Sequence, residues 1–313
     1  MVISVLPAPR GVFVVMKSPL GDELILSSVG AGIRDYRING ESLLLTMADD
    51  EAYLSTCTLN GKFVGPFLGR IDKGIPKAGY QLPISENGLC LHSDRLNTAF
   101  AEFDFQVDGD EVSFHYDLPE EAGVCPAISF SVKYRLLNDK HGYCLSAIVT
   151  PKRPFPLNVA SHVYWAIAPR AEDHKVTIPS KNISKYDKRM VEIGIAKCPK
   201  ELDFSSGKLI GEDIAAFDKP PFFGFDHSFY DLSGPVRVEY GGKRIEILSS
   251  ARGIHLYTQN FSDPSLVTNR GPLARHSAVA IEPSDGFSPL IEYDEQRPCL
   301  YEVNVTVTEG VNQ

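Results

Sequence analysis

Along most of the chain, apolar and polar residues alternate in short runs broken by Gly, Pro and Asp, the period-two pattern of strands with one face on a core and one in water. Helix-period segments are scarce. The clearest hairpin carries Phe103, Phe105 and Val107 on one face, turns at Asp108-Gly109-Asp110 and returns through Val112, Phe114 and Tyr116. A second runs through Val236, Val238 and Tyr240 into Gly241-Gly242 and comes back through Ile245 and Ile247. In both, each arm is expected to lay its apolar face on a core. Further strands are predicted from Ile128 to Leu136, from Tyr143 to Val149, from His255 to Tyr257 and from Tyr301 to Val307. Long loops are expected from Thr150 to Leu157, which holds three prolines, and from Cys198 to Phe222, where Gly211 to Phe217 predicts one helical turn. Neither stretch has the composition of a linker, and no internal repeat interrupts the pattern. The expectation is therefore an all-β chain, one domain over residues 1–313, with two broad sheets packed face to face as a large β-sandwich.

Composition narrows the function classes. Hydrophobic residues make up 43% of the 313 positions, enough for a sizeable core. Thirty-one Lys and Arg against 40 Asp and Glu leave a net charge of −9, which repels phosphate backbones and anionic lipid, so neither nucleic acid nor membrane is an expected partner. Cys57, Cys90, Cys125, Cys144, Cys198 and Cys299 are widely spaced with no CxxC pair, as buried free thiols would be, and they give no metal-ligand pattern. The apolar run Val12 to Met16 follows Pro7, Pro9 and Arg10 and precedes Lys17, unlike a signal-peptide core or a membrane span. A cytoplasmic location is expected, with monomer and homodimer both open.

A polar side chain stranded among apolar ones must be satisfied or used. That test selects four places. His92 ends the run Asn87-Gly88-Leu89-Cys90-Leu91-His92, and His162 sits in Leu157-Asn158-Val159-Ala160-Ser161-His162-Val163-Tyr164-Trp165 beside the only Trp. For each, a hydrogen-bonded core histidine competes with a proton-handling one. Asp226 lies in Gly224-Phe225-Asp226-His227-Ser228-Phe229, where the local sequence favours a tight Asp-capped turn. Glu282 closes the apolar run Ala278-Val279-Ala280-Ile281, where partial desolvation would raise a carboxyl pKa toward that of a useful base. Arg70, in Gly69-Arg70-Ile71, adds a fixed cation. There is no Gly-rich phosphate loop, GxSxG elbow or HExxH, which removes support for nucleotide-dependent, serine-hydrolase and zinc-protease classes.

The order of these pieces resembles the aldose 1-epimerase family. Val29-Gly30-Ala31-Gly32-Ile33 with Gly40-Glu41-Ser42-Leu43-Leu44 is similar to its opening strands, and Phe67-Leu68-Gly69-Arg70-Ile71 to its arginine segment. Asn87 to His92, Ser161-His162-Val163-Tyr164-Trp165, Asp226-His227-Ser228-Phe229 and Ile281-Glu282 follow in family order, and Leu202-Asp203-Phe204 resembles the segment ahead of the aspartate. The chain departs from the pattern at Ser93-Asp94, where the family continues Gly-Gly, at Ser161, where it has Asn, and at Pro283 to Gly286.

The resemblance implies a mutarotase converting α and β anomers of a small-molecule sugar without cofactor or metal. It assigns Glu282 as base on the C1 hydroxyl, His162 as acid at the ring oxygen, and His92, Arg70 and Asp226 as hydroxyl ligands. A hexose-phosphate epimerase would need further cations, for which Arg70 and Lys73 are the candidates near a matched motif. A glycosidase would use Asp226 and Glu282 as its carboxylate pair, and a carbohydrate-binding protein of the same fold would hold the sugar without converting it.

Overall fold

The alternation in the sequence becomes three antiparallel sheets and several two-stranded ribbons in a computed structural model that describes residues 1–310 except 57, 73, 76–78 and 287–288. A five-stranded meander, Val2–Pro7, Val12–Lys17, Asp22–Ser27, Gly32–Ile38 and Glu41–Ser42, opens the chain. Three strands thus precede the two segments that look like opening strands in the sequence. The nine-stranded sheet runs Asp104–Asp108, Glu111–Leu118, Ile128–Leu136, Gly142–Pro151, Cys299–Thr308, Lys243–Ser249, Val236–Tyr240, Lys175–Thr177 and Lys208–Leu209. The six-stranded sheet runs Val163–Trp165, Val279–Ser284, Gly253–Tyr257, Asp226–Tyr230, Asn182–Tyr186 and Glu192–Lys197. The α-helix Asp50–Ser55 starts at Asp49, whose side chain accepts from the Ala52 amide. No helix among the described residues is long and apolar enough to cross a membrane.

The two large sheets share a core. Tyr143, Leu145, Ile247, Val303 and Val305 of the nine-stranded sheet meet Val163, Trp165, Ile281 and Pro283 of the six-stranded one. Tyr301 joins the layers through its hydroxyl, which accepts from the Ser161 amide at 3.0 Å and donates to the Pro283 carbonyl at 3.0 Å. On the other side, Tyr134 donates to the Ala31 carbonyl at 2.7 Å and Tyr36 packs edge-on against Tyr143, so the meander is tied to the same core.

Several local expectations change. The arm Asp104–Asp108 forms, but Phe105 and Val107 stay 38% and 39% exposed. Register puts them opposite Phe114 and Val112, on the core side of the sheet, yet this edge strand has a neighbour on one flank only. The stretch expected as a proline-rich loop continues the strand to Pro151 and then pairs Phe155–Leu157 with Ile291–Tyr293. Between Gly211 and Phe217 the single expected turn is replaced by two 3₁₀ turns, Ile210–Glu212 and Ile214–Ala216. Among the described cysteines all five are free, with Cys90, Cys125 and Cys299 buried and Cys144 and Cys198 half-buried; Cys57 lies outside the described residues.

Replacing Tyr301 by Phe removes the hydroxyl but keeps the ring, leaving a buried amide and a buried carbonyl short of a partner. A loss of about 1–3 kcal/mol in unfolding free energy is expected from urea denaturation. An unchanged midpoint and slope would contradict this bridge between the sheets.

Candidate active site

Pleating decides which residues reach the site. With Val163, Trp165, Ile281 and Pro283 turned to the core, period two puts Tyr164, Glu282, Ser284, His255, Tyr257, Asp226 and Ser228 on the other face of the six-stranded sheet. Register pairs Tyr164 with Ala280, Glu282 with His255, His255 with Ser228, and Tyr257 with Asp226. These side chains floor a cavity of about 350 Å³ that Arg70, His92 and His162 also line. All five residues singled out in the sequence therefore meet in one cavity.

Glu282 stands in the middle of Val279–Ser284, a strand buried at every position, and not at its end as the apolar run implied. Its Oε1 lies 3.5 Å from His162 Nε2, and the two side chains are only 2% and 6% exposed. His162 is clamped through its backbone, the amide donating to the Lys62 carbonyl at 2.9 Å and the carbonyl accepting from the Gly61 amide at 2.7 Å. Its ring packs on Tyr164 at 5.0 Å and edge-on to His92 at 5.8 Å. His162 Nδ1 and Glu282 Oε1 are buried without a hydrogen-bond partner. Such groups are uncommon in folded proteins and mark a place where a ligand can complete the bonding. Burial pushes the Glu282 carboxyl up to about 8, against the opposing charge of His255. Burial, with His92 and His255 adding to it, holds His162 well below the ordinary imidazole range.

His92 and Arg70 arrive together because Leu89–Leu91 pairs with Arg70–Asp72, with Leu91 opposite Arg70. The His92 Nδ1 accepts from the Gly69 amide at 3.1 Å. That bond fixes the neutral ring with its proton on Nε2, and burial followed by the Arg70 charge pushes the pKa down to about 4. His92 is thus a neutral N–H donor. His92, Ser93 and Asp94 all have left-handed φ, 45°, 68° and 51°, where the resemblance leads one to expect glycines after the histidine. Ser93 offsets the strain through its hydroxyl, which accepts from the Phe67 amide at 2.7 Å and donates to the Phe67 carbonyl at 3.2 Å.

Asp226 begins the strand Asp226–Tyr230 and is not the cap of a turn. Its Oδ1 is 2.9 Å from His255 Nε2, and its Oδ2 is 3.9 Å from Arg70 Nη1. Arg70 Nε donates to Glu86 at 2.6 Å. Burial works to raise the Asp226 carboxyl, but the hydrogen bond and charge of His255 and the Arg70 guanidinium hold it below the usual range. The neighbouring His227 points away and stacks on Phe222 at 4.5 Å.

No motif singles out His255, yet it sits at the centre of the floor, with Nδ1 2.9 Å from Ser228 Oγ. The signal in the sequence is the alternation Ile254-His255-Leu256-Tyr257, which puts two polar side chains on the face opposite the core; what lies across from them needs the register. Tyr186 and Glu192 likewise line the cavity without a motif. His115, His141, His174 and His276 do not line it. Among the described residues no three His, Cys, Asp or Glu side chains converge as a metal-binding group.

A family model described as aldose 1-epimerase matches residues 13–286. Galactose mutarotase of Mus musculus is 25% identical over 268 residues, covering 80% of this chain and 77% of that protein. Galactose mutarotase of Homo sapiens is 25% identical over 269 residues with the same coverage. The crystal structure of galactose 1-epimerase from Lactobacillus acidophilus NCFM superposes with a TM-score of 0.86 at 20% identity, covering 99% of each chain. That of the GalM/aldose epimerase homologue from C. elegans gives 0.84 at 18% identity, covering 99% of this chain and 100% of the other.

The buried carboxyl has a direct signature. Infrared difference spectra should show a protonated-carboxyl stretch at neutral pH that is lost as pH rises through about 8 and is missing in Glu282→Gln. Loss of that band in the ordinary glutamate range would contradict the effect of burial.

Proposed function

The chain belongs to the aldose 1-epimerase family, and from that premise we propose that it interconverts the α and β anomers of a free hexose by general acid/base ring opening and closure. The observation that carries this is the Glu282–His162 pair, two buried groups 3.5 Å apart whose surroundings move their pKa values in opposite directions. At neutral pH the pair holds one proton, on the Glu282 carboxyl before a sugar binds, and the reaction needs that many. The opening step requires it on His162, so sugar binding must move it there, leaving a carboxylate to accept and an imidazolium to donate.

In the opening step Glu282 takes the proton of the C1 hydroxyl and His162 gives one to the ring oxygen. The O–H electron pair becomes the C1 carbonyl bond as the bond from C1 to the ring oxygen breaks. The open aldehyde rotates about C1–C2. On closure His162 takes the proton back from the attacking hydroxyl and Glu282 returns one to the carbonyl oxygen. The sugar supplies its own electrophile, so the chemistry calls on no redox or group-carrying cofactor. The neutral His92 N–H donates to a sugar oxygen, Arg70 donates likewise, and the Oδ2 of Asp226, which faces Arg70 at 3.9 Å, accepts from a hydroxyl. Tyr164 and Tyr257, rings 6.3 Å apart at the floor, offer apolar surface to the pyranose.

Charge supports an uncharged sugar over a sugar phosphate. Among the described lining residues Arg70 is the one Lys or Arg, and Glu86, Glu192, Asp226 and Glu282 line the same cavity. Lys73, the second candidate cation for a phosphate, lies outside the described residues. A volume of about 350 Å³ is near the lower end of small-molecule sites and suits one sugar ring. Glucose and galactose are the first sugars to try, since the mouse and human relatives are galactose mutarotases.

Polarimetry of freshly dissolved α-glucose and α-galactose is expected to show accelerated relaxation. Glu282→Gln should lower kcat by at least about 100-fold, and near-normal kcat in that variant would remove the base assignment. Asp226→Asn should raise KM as well as lower kcat, because the residue both grips a hydroxyl and anchors His255.

A further inference from the structure

We propose that His255 is a buried, permanently positioned imidazolium that sets the proton balance of the site, acting on Glu282 across the strand pair and on Asp226 through a direct hydrogen bond. Neither nitrogen is free to exchange a proton with a substrate. Nε2 is held by Asp226 Oδ1 and Nδ1 by Ser228 Oγ, each at 2.9 Å. Both partners can accept: Asp226 as a carboxylate, Ser228 through a hydroxyl whose own proton has an outlet at the Tyr186 hydroxyl, 3.4 Å away. The surroundings therefore match an imidazolium with two N–H groups. His255 is a positioning residue, acting through Asp226 and Glu282.

The charges facing it favour that form. Asp226 and Ser228 come from the strand on one side, Glu282 from the strand on the other, and Glu192 from the sheet edge. Arg70, His92, His162 and His227 oppose it, but burial keeps the three histidines neutral near neutral pH. The Tyr186 and Tyr257 phenols are pushed up by burial and stay uncharged. Burial alone would lower the His255 pKa; the Asp226 hydrogen bond and charge, then Glu282 and Glu192, turn the net shift upward.

Two consequences follow from position. Asp226 commits Oδ1 to His255 and keeps Oδ2 for a sugar hydroxyl, so the imidazolium both ionises and aims the carboxylate. Glu282 is the register partner of His255, and directly opposite side chains in antiparallel strands lie about 4.5–5.5 Å apart at Cβ. A positive charge there opposes protonation of Glu282 and keeps its carboxyl from rising further than burial has already taken it.

The test uses His255→Gln, which keeps an amide donor for Asp226 and removes the charge. The infrared titration of the Glu282 carboxyl is expected to move up from about 8 by roughly two to three pH units, the size of a unit charge at this separation with an effective dielectric of about 20. In the wild-type protein, ¹⁵N NMR of the His255 ring should show both nitrogens protonated at neutral pH. A neutral His255 ring, or an unmoved Glu282 titration in a folded His255→Gln, would overturn the proposal. The kinetic arm rests on the proposed mutarotation: the descending limb of kcat/KM against pH, where the Glu282–His162 pair loses its one proton, should rise in His255→Gln by the same interval. If no free aldose turns over in the wild type, the mutarotase reading fails while the two spectroscopic outcomes still decide the role of His255.

Discussion

A glutamate carboxyl in the middle of a strand buried at every position is the constraint on which the rest of the molecule turns. An unpaired carboxylate there would be costly, so the group must be protonated, paired or both. The fold supplies the means from the neighbouring strand and from the turn that enters the sheet at Val163. His162 stands 3.5 Å away and His255 is the next residue across the ladder. The opposite face carries Val279, Ile281 and Pro283 into the core between the sheets, so the strand cannot shift by one residue without exchanging its core and its site.

Around that carboxyl the charges are arranged in two linked units. Glu282 and His162 hold one proton between them, and Asp226, His255 and Ser228 form a hydrogen-bonded chain beside them. Arg70 joins the second unit at 3.9 Å from Asp226 and is itself anchored by Glu86. The neutral His92, its tautomer fixed by the Gly69 amide, adds a donor without adding charge. Apart from Asp226 and Ser228, which share a strand, the pieces come from different strands and turns, and the ladder register brings them within reach.

Much of this is legible in the sequence, and the failures have physical causes. Alternation locates Ile128–Leu136 to the residue because its burial is itself strictly alternating, in at odd steps and out at even ones. The same rule misjudges Phe105 and Val107, since alternation reports which side a residue faces and not whether anything covers that side. Asp226 follows Gly224, and its local sequence reads as a turn; pairing with Gly253–Tyr257, distant in the chain, makes it a strand. Family order gathers Arg70, His92, His162, Asp226 and Glu282, and all five line one cavity. His255 escapes because nothing within its own strand tells that Glu282 lies opposite.

The most direct test of the central claim is magnetisation exchange by NMR on an aldose labelled with ¹³C at C1 and already at anomeric equilibrium. The account predicts exchange between the α and β signals at a rate proportional to protein concentration, and its loss in Glu282→Gln. Saturable binding of free aldoses with no exchange above the buffer rate would contradict it and leave a carbohydrate-binding protein on an epimerase fold.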